Sequence, residues 1–338
     1  MSNRDAFFKR FDEVLSQKRR FVVLSHLNPD GDALGSSLAM ARFLQDRGHD
    51  AVAMVPNDFP RFLAWMPGAD QMLVYTQHSA QCKSLIANAD YLLFLDFNHP
   101  SRTGLMQPVL NEAKAPFVLI DHHHEADYSQ FTCYLSDTEV SSASELAAEV
   151  IAHYGVEYLN GFVSTNLLTG IITDTGSFSH SVYSPKLFNT CALLVKNSMP
   201  YKEIHQNIYD TFSEGRLRLL GYSINKMQIL DEYATAVITL SKKELESFNY
   251  QVGDTEGIVN YPLSIENVKM SVLITERGNP IRLSFRSKGT FSVHELCSKH
   301  FSGGGHTNAA GGTFNGTIEG ALEKLMSVLP DFKNKLNR

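Results

Sequence analysis

Aspartate and histidine side chains follow directly after short hydrophobic runs at four separate places in the chain. The runs, each with the polar residues that come after it, are Phe21–Leu24 before His26, Asp30 and Asp32; Tyr91–Leu95 before Asp96; Phe117–Ile120 before Asp121, His122, His123 and His124; and Leu167–Thr173 before Asp174. Carboxylates and imidazoles bind divalent cations and move protons. Brought together, these side chains would form a metal centre for hydrolysis.

Short apolar runs of this kind are typical of buried parallel strands. In an open α/β sheet, ligands bind beyond the carboxyl ends of the strands, along one edge. We therefore expect one edge of one sheet to gather the polar residues of all four segments. Periodicity alone does not decide between strand and helix for the fourth run, Leu167–Thr173.

The spacing between His26, Asp30 and Asp32 indicates that this segment serves two cations. On a loop that leaves a strand, residues two apart can point into adjacent sites, while the histidine reaches back from the strand end. Asp96, from a neighbouring strand, could bridge the two ions. A two-metal hydrolytic site needs ions about 3.5–4 Å apart and a bridging carboxylate.

His122 and Asp174 would complete the second ion. An aspartate at a strand end is often the N-cap of the next helix, and Asp32 can also cap its helix. Capping, however, gives no reason for His26 or His122. Mixed imidazole and carboxylate ligation favours manganese, iron, cobalt or zinc over magnesium, and the absence of thiolate ligands disfavours a structural zinc site. We expect two divalent cations per chain, with manganese as the metal.

The composition is ordinary for a globular protein, since 43% of the 338 residues are hydrophobic and 20% are charged. The net charge of −6 argues against a protein that binds long duplex nucleic acid through a broad basic surface. Bound divalent cations could still attract a small anionic substrate. No apolar run approaches the roughly 20 residues that span a bilayer, so we expect no membrane partner.

The cysteines lie far apart in sequence and form no CxxC pair; they are Cys82, Cys133, Cys191 and Cys297. This usage is typical of buried free thiols in a reducing compartment. The N-terminal segment has the spacing of an amphipathic helix and lacks the apolar core of a signal peptide. We therefore expect a cytoplasmic protein.

The order of the elements predicts two domains and a linker. Residues 1–185 alternate between strands and helices, which predicts an α/β domain with a doubly wound parallel β-sheet. Residues 186–228 are helical and charged, and we interpret them as a linker. Residues 229–338 contain β-rich runs and a glycine-rich segment, which indicates a smaller α+β domain with a mixed sheet.

Two features of the second domain are typical of anion binding. The alternation in Ile281–Arg286 predicts a strand with Arg282 and Arg286 on one face, and arginine grips phosphate with paired N–H groups. The glycines Gly303–Gly305, followed by His306, let the backbone approach an anion with its N–H groups free. A glycine run alone is weak evidence, because flexible loops are common.

The four segments resemble, intact and in order, the motifs of the DHH phosphoesterase family. The matching stretches are SHxNPDGDALGS at Ser25–Ser36, DxN at Asp96–Asn98, DHH at Asp121–His123 and GIxTDTGxF at Gly170–Phe178. The GGGH at Gly303–His306 is similar to the signature of the DHH-associated domain in one branch of the family. Within that branch, the chain resembles the nano-RNase, pAp-phosphatase and cyclic-dinucleotide phosphodiesterase group, over nearly its whole length.

The resemblance implies a role for each candidate site residue. It implies that the first ion is held by His26, Asp30 and Asp96, and the second by Asp32, Asp96, His122 and Asp174. It also implies that Asp121 orients a neighbouring imidazole, while His123 faces the scissile phosphate and either stabilises its charge or protonates the leaving oxygen. His124 lies outside the motif, and we expect it to be an exposed loop histidine.

The resemblance also implies substrate contacts in both domains. In the first domain these are Asn98 and Arg102. In the second they are Arg286, Ser287, Gly303, Gly304, Gly305 and His306, with Arg282 a weaker match. The implied second domain is a clamp that fixes the far end of a short substrate, and His306 would stack on a base or hold a terminal phosphate.

The activity that the resemblance implies is a manganese-dependent hydrolysis of short oligoribonucleotides, linear dinucleotides such as pApA, and pAp, to nucleoside monophosphates. Cyclic-di-AMP hydrolysis is the alternative with the same chemistry, and the sequence does not separate the two. A manganese pyrophosphatase would carry a Lys/Arg-rich second domain, and a processive RecJ-like exonuclease a longer basic channel. A non-catalytic nucleotide sensor is expected to have lost ligands, but all six are present here. A homodimer is expected only by analogy with the family.

Overall fold

The computed structural model describes residues 3–124, 126–179 and 184–336. The chain divides into two compact units, Met1–Thr211 and Phe212–Arg338. The division falls inside the segment 186–228, for which a helical linker is predicted. That segment is helical as expected, and its helices are shared between the two units.

The first unit contains, among the described residues, a sheet of six parallel strands in the order β3–β2–β1–β4–β5–β6. The strands are β1 (Arg20–Leu24), β2 (Asp50–Val55), β3 (Leu73–Val74), β4 (Tyr91–Leu95), β5 (Phe117–Asp121) and β6 (Phe131–Ser136). The strand order reverses between β1 and β4, and such a switch point is where open α/β sheets bind ligands. The predicted doubly wound parallel sheet is confirmed.

Helices cover both faces of this sheet. They are α1 (Asn3–Val14), α2 (Gly31–Asp46), α3 (Ser79–Asn88), α4 (Gln107–Asn111), α5 (Ala143–Tyr154), α6 (Gly161–Thr175), α7 (Pro185–Leu194) and α8 (Tyr201–Tyr209). Successive strand side chains enter opposite cores: Leu93 of β4 packs with α1, α2, α5 and α6, whereas Leu92 packs with α3 and α4. Strands that are buried on both faces read as unbroken apolar runs, which is the pattern seen in the sequence.

The fourth apolar run is not a strand, so the expectation of four strand ends is wrong at this place. Leu167–Thr173 lies within α6, which begins after the N-cap Asn160 and ends at Gly176 in a left-handed conformation. Residues around the whole circumference of this helix are buried, because it packs between other elements. Because the helix has no polar face, its sequence shows no helical periodicity. The residues that cap it, Asn160 and Gly176, are nevertheless typical of helix ends.

Helices α2 and α6 pack closely because α2 carries a glycine at the crossing. A methyl group on Gly35 would clash with the backbone carbonyl oxygen of Asn166 in α6. A second glycine, Gly170 of α6, leaves room for the side chain of Ser144 at the start of α5. These close approaches bring the ends of α2, α5 and α6 together beside the sheet.

The second unit contains, in its described part, a mixed sheet of six strands in the order β11–β12–β10–β9–β8–β7. Its elements are α9 (Glu214–Lys226), β7 (Gln228–Leu230), β8 (Thr235–Leu240), α10 (Lys242–Ser247), β9 (Met270–Thr275), β10 (Ile281–Ser287), α11 (Val293–His300), β11 (Gly304–Gly305), β12 (Ala309–Phe314) and α12 (Ile318–Leu336). Strands β8 and β9 are parallel, and the other pairs are antiparallel. Helices α11 and α12 pack on one face and α9 and α10 on the other, which confirms the predicted α+β unit with a mixed sheet.

Thiol and apolar side chains are buried within the two units. The cysteines are all buried and free, as expected: Cys82, Cys133, Cys191 and Cys297. Of the helices in the described part of the chain, none combines the length and the apolar character that crossing a bilayer requires.

Candidate metal centre

The carboxyl ends of three neighbouring strands and the ends of two helices meet at the switch point of the first sheet. His26 and Asp30 lie on the loop after β1, and Asp32 lies in the first turn of α2. The other members are Asp96 after β4, Asp121 and His122 at and after the end of β5, and Asp174 in the last turn of α6. The structure thus brings together all six side chains for which metal binding is predicted.

His26, Asp30 and Asp96 form one group, in which each residue offers a ligand atom within 4.8 Å of the others. His26 Nε2 lies 3.2 Å from Asp96 Oδ2. The histidine and Asp96 are buried, and Asp30 is half-buried. These are the three residues predicted for the first ion.

Asp32, His122 and Asp174 form a second group of the same kind. His122 Nε2 lies 3.8 Å from Asp32 Oδ2 and 3.6 Å from Asp174 Oδ2. The same nitrogen is 3.2 Å from Asp96 Oδ1, so Asp96 faces both groups, one through each carboxylate oxygen. Asp96 Oδ1 is buried, yet it accepts no hydrogen bond from the described residues. A buried carboxylate oxygen in this state suits a bridging cation.

Backbone N–H groups fix the carboxylates of Asp30 and Asp32. Asp30 is the N-cap of α2, and its Oδ1 accepts hydrogen bonds from Asp32 N (3.1 Å) and Ala33 N (3.0 Å). The suggestion that Asp32 caps its own helix is therefore wrong. Asp32 instead accepts from the first turn of α5, at Ala143 N (2.7 Å) and Ser144 N (2.8 Å). The partial positive charge of that helix terminus favours the carboxylate.

The start of α5 holds the Asp32 carboxylate in place, and this role was not predicted from the sequence. Ser142 caps this helix by accepting a hydrogen bond from Glu145 N (3.1 Å). The buried Glu145 carboxylate accepts in turn from Ser141 N (2.8 Å). The signal was present, because a serine followed three residues later by glutamate marks a helix start. Its role appears only when folding places this start against Asp32.

Four carboxylates and two imidazoles share the site, and their charges act on one another. Burial, together with the like charges of Asp96 and Asp174, raises the pKa of Asp32 well above its usual value. Burial opposes ionisation of Asp96 too, but the adjacent imidazoles of His122 and His26 hold the pKa of Asp96 well below the usual range. Burial likewise opposes the charge on His122, but Asp96 and Asp174 raise the pKa of His122 well above its usual value. Divalent cations would relieve the repulsion among these carboxylates.

His123 stands beside this group, held by Asp121. His123 Nδ1 is 2.8 Å from Asp121 Oδ1 and 3.6 Å from Asp96 Oδ1. Burial lowers the pKa of His123, although Asp121 acts in the opposite direction. The contact is the one expected if Asp121 orients a neighbouring imidazole, and the catalytic roles of both residues stay predictions.

Asn98 and Arg102 are also near this end of the sheet. The buried Asn98 donates its amide N–H to the carbonyl oxygen of His124 (3.0 Å), which ties down the loop after β5. The half-buried Arg102 carries a charge that acts on both His26 and His123. His124 itself is exposed, as expected. Arg102 thus places positive charge beside His123, whereas Asn98 shapes the loop.

In the second unit, Arg286 and Ser287 end strand β10. Arg286 is half-buried, and its Nη1 donates to the carbonyl oxygen of Phe285 (2.9 Å). Ser287 is buried, and its hydroxyl donates to Phe291 O (2.7 Å) and accepts from Asn308 Nδ2 (2.9 Å). This serine therefore stabilises the end of β10, and its contact with substrate stays a prediction.

The glycine run is more ordered than an open anion-binding loop. Gly304 and Gly305 form β11, which pairs with β12, and Gly305 N donates to His294 Nδ1 (3.2 Å). His306 lies in the tight turn of this hairpin, where its N–H donates to the carbonyl oxygen of Ala309 (2.7 Å). The N–H group of Gly305, which was expected to be free, thus already has a partner in His294. The glycines also allow β11 and β12 to pair closely.

Two family models match the chain. The first, the N-terminal domain of the DHH family, matches residues 20–173. The second, the DHHA1 domain, matches residues 231–335. The two matches correspond to the parallel sheet and the mixed sheet, and the first spans five of the six predicted ligands, up to the residue before Asp174.

Similar proteins are found among both sequences and solved structures. The chain is 27% identical to the bifunctional oligoribonuclease and PAP phosphatase NrnA of Thermus thermophilus, over 91% of this chain and 88% of that protein. It is 23% identical to the cyclic-di-AMP phosphodiesterase GdpP of Bacillus subtilis, over 95% of this chain but 49% of that protein. The crystal structure of an exopolyphosphatase-related protein from Bacteroides fragilis superposes with a TM-score of 0.92 and 35% identity, over 99% of this chain and 98% of the other.

Proposed function

This chain belongs to the DHH family and is a hydrolase of phosphoester bonds, and we propose that it cleaves short oligoribonucleotides, linear dinucleotides such as pApA, and pAp to nucleoside monophosphates. The observation that carries the proposal is the position of Asp96. Its two carboxylate oxygens face two separate groups of ligand atoms, and one of them is buried without a hydrogen bond. That arrangement supports a two-cation centre of the kind that hydrolyses phosphoesters.

The residues present fit two divalent cations. The first would be held by His26, Asp30 and Asp96, and the second by Asp32, Asp96, His122 and Asp174. Mixed nitrogen and oxygen ligands favour manganese over magnesium. Two bound cations would supply Lewis acidity and lower the pKa of a water molecule to near neutrality.

The other residues of the site would manage protons and phosphate charge. Asp121 accepts from His123 Nδ1 and orients the ring, whose Nε2 would exchange a proton with the leaving oxygen. Burial favours the neutral ring in the free protein, whereas the negative charge of a bound phosphate favours the protonated ring. Arg102 would add a fixed positive charge for the phosphate.

The second unit would hold the far end of the substrate. Arg286 on β10, supported by Ser287, offers its guanidinium for a phosphate, and His306 in the β11–β12 hairpin offers a ring for a base or a terminal phosphate. Chain segments 1–185 and 229–338 would then divide catalysis and substrate binding between them. Recognition of both ends would favour short substrates.

Cyclic-di-AMP hydrolysis is a second candidate. The match to the phosphodiesterase GdpP extends over 95% of this chain, and the same metal centre would attack either a cyclic or a linear phosphodiester. A nucleotide sensor without activity is the candidate from another class. The complete set of six ligand side chains in one cluster argues against it.

The test is product analysis with Mn²⁺ and five parallel substrates: pAp, pApA, cyclic-di-AMP, a 5-mer RNA and pyrophosphate. We expect AMP release from pApA and the 5-mer, and a loss of about 10³-fold or more in Asp96→Asn, because that change removes the bridging charge but keeps the side-chain shape. Arg218→Gln, on the surface of α9, is the matched control and should be fully active. Opening of the cyclic dinucleotide alone would favour the second candidate, and inactivity on every substrate, with Mn²⁺ bound, would refute both.

A further inference from the structure

Arg282 lies on the same face of the second sheet as Arg286. Along β10, the side chains of Ile281, Leu283 and Phe285 are buried in one core, while those of Arg282 and Arg286 are half-buried on the opposite face. Four residues of strand separate the two arginines by about 13 Å, at roughly 3.3 Å per residue. The two side chains therefore start far enough apart to hold two different phosphates of one substrate.

A second arginine stands near Arg282. Arg282 pairs across the sheet with Thr275, and Arg277 follows two residues later in the turn between β9 and β10. The guanidinium of Arg277 lies 5.2 Å from the centre of the Tyr250 ring, and its Nη2 donates to Thr255 Oγ1. Arg277 is thus held in place by a ring and a hydroxyl group, without a carboxylate.

The two arginines form a cationic pair with no ion-pair partner among the described residues. Burial, and then the charge of Arg277, lower the pKa of Arg282, so the two guanidinium groups repel each other. Within the residues that the structure describes, neither arginine forms an ion pair with a carboxylate. The acidic groups of the neighbouring loop, Asp254 and Glu256, act on Tyr250 and on the buried Arg216. Positive charge that has no carboxylate within ion-pair distance attracts an anion.

We propose that Arg277 and Arg282 form a second phosphate-binding position, which contacts an oligonucleotide further along its chain than Arg286 does. The proposal rests on the proposed function. A span of about 13 Å corresponds to three or four stacked nucleotides, at roughly 3.4 Å per phosphate along a strand. Neither pAp nor pApA is long enough to use both positions, whereas a 5-mer is. The pair would therefore determine how strongly chain length affects binding.

The experiment measures equilibrium binding of labelled 5-mer RNA and labelled pApA to the full chain in EDTA, so that no substrate is cleaved. The variants are Arg282→Gln and Arg277→Gln, with Arg282→Lys to restore the charge and Arg218→Gln as an exposed control in the same unit. We expect each Gln variant to weaken 5-mer binding roughly fivefold and to leave pApA binding unchanged. The slope of log affinity against log salt for the 5-mer should fall by about 0.7 with each lost contact.

Other outcomes separate the two proposals. Equal weakening for pApA and the 5-mer, or no weakening for either, would overturn the second phosphate position. Partial recovery in Arg282→Lys with an unchanged melting temperature would support it, because a folding defect would not be rescued by charge. If the wild-type protein hydrolyses neither substrate but binds the 5-mer more tightly through these arginines, the proposed function fails and the phosphate position stands.

Discussion

Asp96 adopts a left-handed backbone conformation, with φ of 64°, directly after strand β4. This region is costly for residues with a side chain, and aspartate is among the few that enter it. The turn of the backbone at this point directs the carboxylate back across the strand ends, between His26 and His122. Local strain is therefore used to place the one carboxylate that both ligand groups share.

Asn57 supports the loop after β1, which carries predicted ligands of the first ion, from outside the ligand cluster. Asn28, on the loop after β1, has φ of 56°, and its N–H donates to Asn57 Oδ1 (2.7 Å) while the two amides also contact each other (3.3 Å). We expect Asn57→Ala to release this loop and to weaken Mn²⁺ binding roughly tenfold, as is typical for residues that orient ligands. Titration calorimetry with Mn²⁺ measures the affinity.

A matched control for this prediction is Asn88→Ala. The Asn88 amide makes a comparable exposed hydrogen bond, to Ser84 O (2.8 Å), in the last turn of α3. It should leave Mn²⁺ affinity unchanged. If Asn57→Ala behaves like this control, then the asparagine pair does not position the loop.

The ligand cluster could be predicted from single residues, but their supports could not. Aspartate and histidine after apolar runs are unusual enough to indicate a metal centre. Asn57 is an ordinary loop asparagine, and only the fold brings it to Asn28, 29 positions earlier in the chain. Ser287 is the opposite case, a predicted substrate contact for which the structure shows a structural role. Its hydroxyl bonds to Phe291 and Asn308, and nothing in the sequence reveals those bonds.

At the scale of elements, the crossing of α2 and α6 depends on Gly35. We expect Gly35→Ala to destabilise the protein by about 2–3 kcal/mol, because the added methyl group would press on the Asn166 carbonyl in a tightly packed interface. Gly221→Ala is the control: Gly221 also lies within a helix, α9, but has open space around it. Alanine there should stabilise by about 0.5–1 kcal/mol. Urea unfolding of both variants compares them, and equal effects would contradict this account.

Helix α10 is tied to α9 by Glu244. Its carboxylate accepts from Ser241 N (2.7 Å) in a capping box and also binds Lys226 and Tyr222 of α9. Burial opposes ionisation, but these partners, Lys226 foremost, lower the pKa of Glu244 to about 2. A folded-state pKa below the unfolded value gives stability that is full above about pH 4.5 and is lost as the pH falls towards 2.

The pH dependence follows from that sign. We expect Glu244→Gln to be less stable than the wild type at pH 7, and the difference to shrink as the pH is lowered from 5 to 3. Urea unfolding at each pH measures it. Glu246→Gln, on the same helix and exposed, is the control and should show little difference at any pH. A difference for Glu244→Gln that is constant with pH would contradict the assigned pKa.

Element prediction succeeded where an apolar run and a cap agreed. Strands β1, β4 and β5 and the alternation of β10 were expected within a few residues of their observed bounds. Helix α6 stayed ambiguous because it is buried all round, and β6 was missed because it alternates and lacks a continuous apolar run. Helix α12 was also missed, since Pro330 interrupts its pattern. In each case the packing partner supplies the information that the local sequence lacks.

At the scale of the whole molecule, metal binding and nucleotide binding are assigned to different units. We expect Mn²⁺ alone to slow amide hydrogen exchange around the ends of β1, β4 and β5 and at the start of α2, and not in β10 or β12. In EDTA, pAp should slow exchange in β10 and in the β11–β12 hairpin. Peptide-resolved hydrogen exchange distinguishes these patterns. We expect Asp96→Asn to remove the protection by Mn²⁺ in the first unit and to keep the protection by pAp in the second. Protection of both units by the metal alone would contradict it.

The proposed ligands are spread over 148 positions of the chain, from His26 to Asp174. A ribosome that adds about 5–20 residues per second makes the first of them roughly 7 to 30 seconds before the last. Early in that interval, the emerging chain displays only one histidine and two aspartates on a short loop, which is a poor chelator. Asp174, moreover, is supplied by a helix that must dock on α2 before it faces the others. The proposed cations would therefore be acquired late in biosynthesis, by a chain whose first unit is already folded.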